Sequence, residues 1–501
     1  MTECTDGTMM PMTIALIAEA TGGRIVPPTG GAPVPQGAVA THTVSDSRLV
    51  GPGGVFVAIK GERVDGHDYV AGLGACGAVA AIVDHEIAGS DVTQIVVADT
   101  VAALGDLARR DIELRRESEA PFTLIGLTGS VGKTTTKDLL KALLSTMGPT
   151  VAPVGSFNND IGLPLTALKV GEGTRYFVAE MGANHVGEIA GLTSIAPPDI
   201  AIVLKVGVAH LGEFGSVERI AQAKSEIVRG LRPEGVAVLN ADDAHVAAMA
   251  SIAPAGVLWF GADPAHAGED ALTARNVVTD DTDRASFDLV AADGATAHVA
   301  LGIPGAHNVM NALAAATVAR HLGMALDDIA RVLGEQRRIS PHRMAVSTVD
   351  DGGARFTLID DSFNANPDSM KAGLDGLARW GSGTATAPYR VAVLGAMLEL
   401  GGDEDGLHQA IGAYAAGLGV DHVIAVGSTS DPRLDELAGA LAQGARQAGM
   451  DDAAVDHVHD TAAAESIVGR LSSEHPGAVV LLKGSHASGL SALASRWAPG
   501  E

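Results

Sequence analysis

The feature that most constrains this chain is a glycine-rich turn that comes directly after an apolar run and directly before a helical pattern. Residues 128–136 read Thr-Gly-Ser-Val-Gly-Lys-Thr-Thr-Thr. The apolar run at 123–127 predicts a buried strand, and residues 137–146 predict a helix. Glycines in such a turn let backbone N–H groups surround phosphate oxygens, and the helix N-terminus adds a partial positive charge. The sequence therefore predicts an α/β fold that carries a phosphate-binding site.

The glycine spacing in this phosphate loop is tighter than the strict pattern. That pattern has a glycine where this chain has Leu127, so the glycine pair here is Gly129 and Gly132. An ordinary glycine-rich turn would be a simpler interpretation, but strand, Gly-Lys-Thr and helix stand in the expected order. In this motif Lys133 reaches the terminal phosphates of ATP, and the Thr134 hydroxyl ligates Mg²⁺. The loop residues predicted to bind ATP are Thr128, Gly129, Ser130, Val131, Gly132, Lys133, Thr134 and Thr135.

The rhythm of apolar runs divides the chain into three α/β domains. Residues 1–118 form the first, and residues 119–340 form a central P-loop-type ATPase domain with a mostly parallel sheet. Within it, residues 272–303 alternate around polar turns and predict antiparallel hairpins. Residues 341–501 are expected to form a Rossmann-like domain. The strands are expected at 55–59, 78–83, 94–98, 123–127, 176–179, 200–206, 236–239, 356–359, 391–394, 423–426 and 479–482, and helices at 13–21 and 217–231.

Composition excludes several classes of protein. The formal charge of −26 argues against a nucleic-acid surface, which needs a basic stripe. No run approaches the ~18 apolar residues of a membrane span. The N-terminus has no basic region before its apolar run, which contains Glu19, so we expect no signal peptide and a cytoplasmic protein. Cys4 and Cys76 are too few for a disulfide framework or a cysteine zinc site.

Two polar residues at the ends of apolar runs are candidates for metal binding and catalysis. Glu180 follows the run 176–179, where a carboxylate would hold a phosphate-bound metal ion, although strand-end carboxylates often only cap helices. His210 ends the apolar stretch 202–209, and a lone histidine there is more often structural. The position of both residues behind a phosphate loop favours the functional interpretation.

Lys224 is the third candidate, because it lies in the middle of the apolar stripe of the helix predicted at 217–231. A lysine is rarely buried without a partner. A purely structural lysine would snorkel to solvent, or pair with Glu226 or Glu213. A functional lysine would face a charged site and be chemically modified there.

Further motifs occur in order along the whole chain, including Asp-Ser-Arg at 46–48 and Ser-Phe-Asn-Ala-Asn-Pro at 362–367. The others lie at 52–61, 65–68, 157–164, 180–189, 210, 223–226, 305–308, 311–313 and 483–485. In kind and order these stretches resemble the Mur ligase family. The closest resemblance is to its branch that joins D-alanyl-D-alanine to UDP-N-acetylmuramoyl-tripeptide.

The resemblance implies a first domain that binds the UDP-sugar, a central ATPase, and a C-terminal domain that receives the dipeptide. It implies that Thr134 and Glu180 hold one Mg²⁺, and that Glu180, His210 and a carbamylated Lys224 position a second. Asn159 would lie near the γ-phosphate, and the tripeptide carboxylate would be activated as an acyl phosphate. The remaining residues assigned by resemblance are Asn308, Asn311, Arg343 and Asp361 for ATP; Ser47, Arg48, Lys60, Asp65 and His67 for the UDP substrate; and, more weakly, Asn364 and Asn366 for the dipeptide. A monomer is expected.

The sequence departs from the family pattern at Ala396 and Leu398, where we expect Asp and Ala, so any acidic role at residue 396 is vacant. A related branch that adds an amino acid usually reads Thr-Asn-Gly-Lys in the loop and carries Asp-Asn-Pro-Arg, and this chain has neither. A folylpolyglutamate synthetase resembles the central fold but lacks the Asp-Ser-Arg pattern. An ATP-driven switch or a sugar-nucleotide binding module would need no intact set of catalytic residues. The sequence leaves the third residue of the acceptor peptide open, as diaminopimelate or lysine.

Overall fold

The computed structural model describes residues 8–29, 37–61, 63–207, 211–263, 271–351, 354–383 and 387–498. Sheets of five, nine and six strands follow one another along the chain, and a two-stranded ladder accompanies the first. Each sheet is mostly parallel, and its interior strands are buried because apolar residues occupy both of their faces. The α/β fold class predicted from the sequence is confirmed. Within the described residues, no helix is long and apolar enough to span a membrane.

The first sheet has a parallel core that is closed at one edge by an antiparallel strand. Its elements are β1 (Met12–Thr13), α1 (Ile14–Ala20), β2 (Arg24–Val26), β3 (Val39–Ala40), β4 (His42–Val44), β5 (Gly54–Val57), β6 (Ala78–Val83), β7 (Thr93–Val96) and α2 (Thr100–Glu117). The strand order is β2-β7-β6-β5-β4, with β2 antiparallel to β7, while β1 and β3 pair separately. Helix α2 leads out of this sheet and also packs on helices that flank the next one.

The second sheet carries the phosphate loop at the end of one of its interior strands. Its strands are β8 (Thr123–Thr128), β9 (Thr150–Val151), β10 (Tyr176–Glu180), β11 (Ile200–Val203), β12 (Val236–Asn240), β13 (Val257–Gly261), β14 (Ala271–Thr279), β15 (Arg284–Ala291) and β16 (Thr296–Pro304). Its helices are α3 (Lys133–Ser145), α4 (Gly162–Ala167), α5 (Glu188–Ile195), α6 (Leu211–Phe214), α7 (Val217–Arg229), α8 (Ala244–Ala247), α9 (Asn308–His321) and α10 (Leu326–Glu335). The order is β16-β15-β14-β13-β12-β11-β8-β10-β9, and the last two pairings along the chain, β14–β15 and β15–β16, are antiparallel as predicted.

The third sheet is a Rossmann-like layer with helices on both faces. Its strands are β17 (Ala345–Asp351), β18 (Ala354–Asp361), β19 (Arg390–Gly395), β20 (His422–Val426), β21 (Val455–Val458) and β22 (Val479–Lys483). Its helices are α11 (Pro367–Arg379), α12 (Glu404–Gly417), α13 (Pro432–Gln447), α14 (Thr461–Glu474) and α15 (Leu490–Trp497). The order is β17-β18-β22-β19-β20-β21, and only β17 is antiparallel to its neighbour among the described strands.

A buried lysine ties the phosphate-loop helix to the chain segment that leads into the third sheet. Lys137 in α3 donates hydrogen bonds to the carbonyl of Pro153 at 2.9 Å and to Oγ of Ser340 at 3.1 Å. The neighbouring Asp138 accepts one from the backbone N–H of Ser340 at 2.7 Å. Because a buried ammonium and its acceptors need each other, these bonds fix where the third sheet begins relative to the nucleotide loop.

Several element ends differ from the sequence prediction by a few residues, and two of these differences adjoin the phosphate loop. The strand predicted at 200–206 ends at Val203, because its neighbour β8 ends at Thr128, the last paired residue, where the phosphate loop turns away. The helix predicted from residue 137 begins at Lys133, because the left-handed conformation of Gly132 ends the loop there. The apolar pattern also did not indicate β9, β13, β17 or β21 as strands.

Candidate active site

One large cleft lies where all three sheets meet, with a volume of ≈1370 Å³. Helix α2 lines one side through Asp106 and Arg109, and the phosphate loop lines the floor. Arg343 and Asp361, which flank β17 and end β18, line the opposite side. A ligand in this cleft therefore touches parts of the chain that are hundreds of residues apart. The carboxyl ends of the parallel strands β8, β10 and β18 open into it, as expected for ligand sites of parallel sheets.

The phosphate loop is held from behind by the start of helix α9. Gly132 has φ +83°, and a Cβ at this position would lie 2.2 Å from Oδ1 of Asn311, so only glycine fits. Asn311 accepts a hydrogen bond from Oγ1 of Thr136 at 3.3 Å and donates one to Oδ1 of Asn308 at 2.8 Å. Asn308 in turn donates to the carbonyl of Pro304 at 2.6 Å. The two asparagines, which the resemblance assigned to ATP, line the cleft and also support the loop.

Lys133 and Thr134 point into the cleft from the first turn of α3. The Lys133 ammonium donates a hydrogen bond to the carbonyl of Gly129 at 2.8 Å. Removal from water lowers the pKa of Lys133, while the nearby Glu180 carboxylate acts in the opposite direction. The remaining predicted loop residues Ser130, Val131 and Thr135 line the cleft as well, whereas Thr128 is buried at the end of β8.

Glu180 ends β10 and is completely buried on the cleft wall. Its Oε1 accepts hydrogen bonds from Nδ2 of Asn158 at 2.8 Å and from Oγ1 of Thr134 at 3.4 Å. Its Oε2 is buried and has no hydrogen-bond partner among the described residues. A buried carboxylate oxygen without a donor is energetically costly unless a cation completes it. The pair Thr134 and Glu180 therefore has the donor set of a Mg²⁺ site.

Lys224 lies in α7 with only 2% of its surface exposed. Its Nζ is 5.9 Å from the centre of the Phe214 ring. Burial, and then the positive charge of Lys133, lower the pKa of Lys224 to about 7, while Glu226 opposes the shift. Glu226 itself accepts hydrogen bonds from the backbone N–H groups of Gly187 and Ala190 rather than from Lys224. The predicted site residue His210 lies outside the described residues.

Residues of the third sheet reach across the cleft to the phosphate loop. Nη2 of Arg343 donates a hydrogen bond to Oγ1 of Thr134 at 3.4 Å, and the guanidinium stacks 4.4 Å from the centre of the Phe363 ring. Asp361 is paired with the buried Lys483 ammonium. Arg343 and Asp361, which the resemblance assigned to ATP, are thus brought to the same cleft as the loop.

The asparagines at 159, 364 and 366 all line the cleft, and each also has a local structural bond. Asn159 accepts a hydrogen bond from the N–H of Gly162 at 2.9 Å, at the start of α4. Asn366 accepts one from the N–H of Ser369 at 2.9 Å and caps α11. Asn364 accepts from the N–H of Ala365 at 2.8 Å. These bonds use only the carbonyl oxygens, so the side-chain amide hydrogens can face a ligand.

The residues predicted to hold the UDP part belong to the segment of the first sheet and are not among the residues that line the cleft. The Arg48 guanidinium donates to Asp46 at 2.6 Å, and this hydrogen bond lowers the pKa of Asp46 to about 2. Oδ1 of Asp65 lies 2.6 Å from Nδ1 of His67. The backbones of Lys60 and Asp65 pair in an isolated antiparallel β-bridge. Ser47 begins the short 3₁₀ turn that contains Arg48.

Four cleft residues were missed by the sequence-based assignment of roles. Asn158 donates a hydrogen bond to Glu180, and Lys483 forms an ion pair with Asp361. Lys205 lies 3.5 Å from Asp368 at the N-terminus of α11, which links the second and third sheets. Asn158 and Lys483 belong to motifs at 157–164 and 483–485, so their positions were signalled but their partners were not.

The two residues that depart from the family pattern, Ala396 and Leu398, differ in their exposure to solvent. Ala396 is 1% exposed and packs with Leu434 and Leu437, so this position holds an apolar contact. Leu398 is 37% exposed. An acidic side chain at 396 would be buried among leucines, which accounts for the absence of one here.

The site combines a phosphate loop, a buried carboxylate with a free oxygen and a cleft that the third sheet closes. These features define a nucleotide-dependent enzyme of the P-loop class. Family models match three parts of the chain: "Mur ligase family, catalytic domain" at 41–111, "Mur ligase middle domain" at 127–319 and "Mur ligase, glutamate ligase domain" at 342–486. The chain belongs to the Mur ligase family, and the resemblance seen in the sequence is confirmed.

Relatives and solved structures agree with this membership. The UDP-N-acetylmuramoyl-tripeptide--D-alanyl-D-alanine ligase of Mycobacterium bovis is 42% identical over 97% of both chains. The enzyme of the same name from Escherichia coli is 35% identical over 84% of this chain and 87% of its own. The crystal structure of MurF from Acinetobacter baumannii has a TM-score of 0.81 at 33% identity and covers 98% of this chain and 99% of its own. MurF from Thermotoga maritima in complex with ADP has a TM-score of 0.71 at 28% identity, over 91% and 96%.

Proposed function

We propose that this chain joins D-alanyl-D-alanine to the terminal carboxylate of UDP-N-acetylmuramoyl-tripeptide and converts ATP to ADP and phosphate. The reaction belongs to the synthesis of peptidoglycan precursors. The proposal is supported by the relatives of that name, which match nearly the whole chain. The single structural observation that carries it is the buried Glu180 carboxylate, with one oxygen unpaired, beside the Thr134 hydroxyl of a phosphate loop.

The residues present fit a magnesium-assisted transfer. Thr134 and Glu180 would hold one Mg²⁺, and Glu180, His210 and a modified Lys224 would hold a second. Bound Mg²⁺ neutralises the phosphate oxygens and lets a carboxylate approach a triphosphate that would otherwise repel it. The hard oxygen ligands supplied by Thr134 and Glu180 match the preference of Mg²⁺.

We propose that Lys224 is carbamylated. Its pKa of about 7 leaves much of the amine unprotonated at neutral pH, and only an unprotonated amine forms an N–C bond with CO₂. The neutral amine releases one proton when it forms the carbamate, so conversion of the ammonium releases two protons in all and leaves an anion in place of a buried cation beside Lys133. This change removes the repulsion between two ammonium groups and supplies an oxygen ligand. The burial of Lys224 and the proximity of Lys133 support the proposal.

The side chains of this chain have distinct tasks in the two steps. In the first step the tripeptide carboxylate forms an O–P bond to the γ-phosphorus while the bond to ADP breaks, and Lys133 stabilises the charge on the phosphate oxygens. In the second step the dipeptide amine forms a C–N bond to the acyl carbon, loses a proton, and phosphate leaves. Arg343, from the far side of the cleft, stabilises the nucleotide only when the two sides meet.

The wider assignments follow from the same proposal. We propose domain bounds of 1–118 for UDP-sugar binding, 119–340 for ATP binding and 341–501 for dipeptide binding. Ser47, Arg48, Lys60, Asp65 and His67 would contact the UDP part, and Asn364 and Asn366 the dipeptide. Asn159 would lie near the γ-phosphate. The enzyme would act as a monomer in the cytoplasm, where ATP and UDP-linked precursors are available.

Phosphate release and amide formation test the proposal together. We expect ATP-dependent phosphate release only when UDP-muramoyl-tripeptide and D-alanyl-D-alanine are both present, with the UDP-muramoyl-pentapeptide detected by mass spectrometry. Lys133→Ala is expected to abolish both signals. Lys141→Ala, which changes a partly exposed lysine of the same helix, is the matched control and is expected to retain them.

Different results in the same assays would assign a different function. Phosphate release with glutamate and a folate, and none with the muramoyl substrates, would assign folylpolyglutamate synthesis. Hydrolysis of ATP without either substrate would assign a switch. Parallel assays with diaminopimelate-containing and lysine-containing tripeptides will determine the third residue of the acceptor.

A further inference from the structure

A cluster of two histidines and an aspartate lies on the third sheet, outside the lining of the active-site cleft. His457 belongs to β21, His459 follows that strand, and Asp435 lies in the first turn of α13. Their ligand atoms, one from each side chain, all lie within 4.8 Å of one another. We propose that these three side chains bind a first-row divalent metal ion, with Zn²⁺ as the expected occupant.

One of the two distances suits ligands of a single ion, and the other is that of a hydrogen bond, which an ion would replace. Oδ1 of Asp435 lies 3.3 Å from Nε2 of His457 and 2.6 Å from Nδ1 of His459. Two ligands at ~2.0–2.1 Å from a tetrahedral zinc ion are roughly 3.3 Å apart. The two imidazole rings have centres 4.9 Å apart at an angle of 63°, so they converge without stacking face to face.

Nε2 of His457 faces Oδ1 of Asp435 across 3.3 Å. Nε2 is buried and makes no hydrogen bond among the described residues, although Asp435 is close to it. A buried ring nitrogen without a partner is costly unless a proton or a metal ion completes the site. With two imidazoles and one carboxylate, the site takes the N and O ligands that zinc prefers and leaves a fourth position for water.

The backbone around the cluster leaves space for it. A Cβ at Gly427, directly after β20, would lie 2.2 Å from Oδ1 and 2.8 Å from Cα of Asp435. A Cβ at Gly439 would lie 3.3 Å from Cε1 of His457. Glycine at residue 427 is therefore required for the Asp435 carboxylate to reach both histidines. The absence of a side chain at Gly439 leaves room for the His457 ring.

A second cluster with similar composition, at His67, Asp84 and His85, has a histidine whose ring nitrogens are both occupied by the fold. His67 has Asp65 Oδ1 2.6 Å from Nδ1 and accepts the backbone N–H of Asp84 at Nε2, 3.2 Å away. Both ring nitrogens are therefore occupied, and no lone pair is left for a metal ion. His85, stacked on His67, pairs with the Asp84 side chain. The cluster at 435, 457 and 459 differs because Nε2 of His457 makes no hydrogen bond among the described residues.

The proposed metal site lies far from the active-site cleft. In the strand order β18-β22-β19-β20-β21, four spacings of ~4.8 Å place β21 roughly 19 Å from β18, which ends at Asp361 in the cleft. A metal ion here would clamp β21 to α13 at the edge of the sheet. We therefore expect it to stabilise the fold without being required for turnover.

Zinc titration of the full-length, EDTA-treated enzyme tests the proposal, with excess Mg²⁺ present to occupy the cleft. Calorimetry is expected to give one Zn²⁺ per chain, with an accompanying rise in Tm. Co²⁺ in its place is expected to give the visible absorption of a four-coordinate site. His459→Ala, which changes an exposed side chain, should weaken binding by about tenfold or more and remove the rise in Tm.

Asp435→Asn and His457→Ala are expected to act in the same direction as His459→Ala. His85→Ala, from the second cluster at His67, Asp84 and His85, is the matched control and should bind Zn²⁺ as the wild type does. Absence of stoichiometric binding, or equal affinity in wild type and His459→Ala, would overturn the proposal. Because His459 is exposed, its substitution keeps this test valid even if His457→Ala fails to fold.

Discussion

Nδ2 of Asn158 donates a hydrogen bond to Oε1 of Glu180 at 2.8 Å, and the other carboxylate oxygen of Glu180 is left buried and unpaired. The amide therefore fixes which oxygen of Glu180 is free to receive a cation. It also prevents the carboxylate from rotating away from Thr134. Asn158, which is not one of the proposed metal ligands, thus sets the geometry of the proposed metal site.

Asn158→Ala is expected to lower kcat/KM by roughly 10- to 100-fold and to raise the Mg²⁺ concentration needed for half-maximal phosphate release. The physical reason is that Glu180 loses the donor that orients it. Gln222→Ala, which removes an exposed amide from α7, is the control and should leave both quantities unchanged. If the Mg²⁺ requirement of Asn158→Ala equals that of the wild type, Asn158 does not position the metal ligand.

Lys224→Met is expected to abolish turnover while leaving the protein folded, because methionine keeps the unbranched shape of the buried side chain but cannot form a carbamate. Added bicarbonate is expected to give no recovery. Lys169→Met, at an exposed lysine, is the control. Turnover at the wild-type rate in Lys224→Met, with Tm measured alongside, would remove the carbamate from the proposed mechanism.

Arg343→Ala is expected to raise the KM for ATP and to lower kcat, because this guanidinium reaches the phosphate loop from the far side of the cleft at Thr134. The loss of one charge-assisted contact predicts a change of roughly tenfold or more in kcat/KM. Arg355→Ala, at an exposed arginine of β18, is the matched control. An unchanged KM and kcat would show that the contact has no part in nucleotide binding.

The fold could be predicted where apolar runs are continuous. Strands such as β6 and β10 are buried on both faces, so nearly every residue is apolar and the pattern is unambiguous. Strand β21 was missed because Asp456 and His457 interrupt its apolar residues, and both have partners elsewhere in the fold. Long-range pairing, which no local pattern reveals, allows those polar residues in a strand.

The site could be predicted where its residues are neighbours in sequence, as in the phosphate loop. The supporting contacts could not. Asn311 and Gly132 touch only because α9 packs behind the loop, and Lys205 meets Asp368 only because the second and third sheets face each other. Such contacts depend on how the sheets are placed relative to one another. A sequence motif is confined to one segment and does not contain this information.

Arg115→Leu is expected to destabilise the fold by about 3 kcal/mol, measured by urea unfolding. The buried guanidinium of Arg115 donates to the carbonyls of Thr174, Ala120 and Pro121 and so ties α2 to the second sheet. Leucine would leave the buried carbonyl of Thr174 and the partly buried carbonyls of Ala120 and Pro121 without this donor. Arg110→Leu, at a residue whose partners are exposed glutamates on the same helix, should change stability far less. Equal effects of the two substitutions would contradict a structural role for Arg115.

Asp111 makes the stability of the protein depend on pH. Its Oδ1 accepts a hydrogen bond from the N–H of Met10 at 2.8 Å, and its Oδ2 is buried without a hydrogen-bond partner among the described residues. Burial raises the pKa of Asp111 well above its ordinary value, and the bond from Met10 only partly opposes this. The folded protein therefore keeps a proton that the unfolded chain releases above the ordinary aspartate pKa of ~3.9.

The sign of the effect follows from proton binding. Since the folded state binds more protons than the unfolded state above pH ~4, the contribution of Asp111 to stability is lost as pH rises through its folded-state pKa. Asp111→Asn stays neutral, so the difference in Tm, variant minus wild type, is expected to increase from pH 5 to pH 8. Glu113→Gln, at an exposed position of the same helix, should show no such trend. A difference that stays constant between the two pH values would mean that Asp111 is ionised in the folded protein throughout this range.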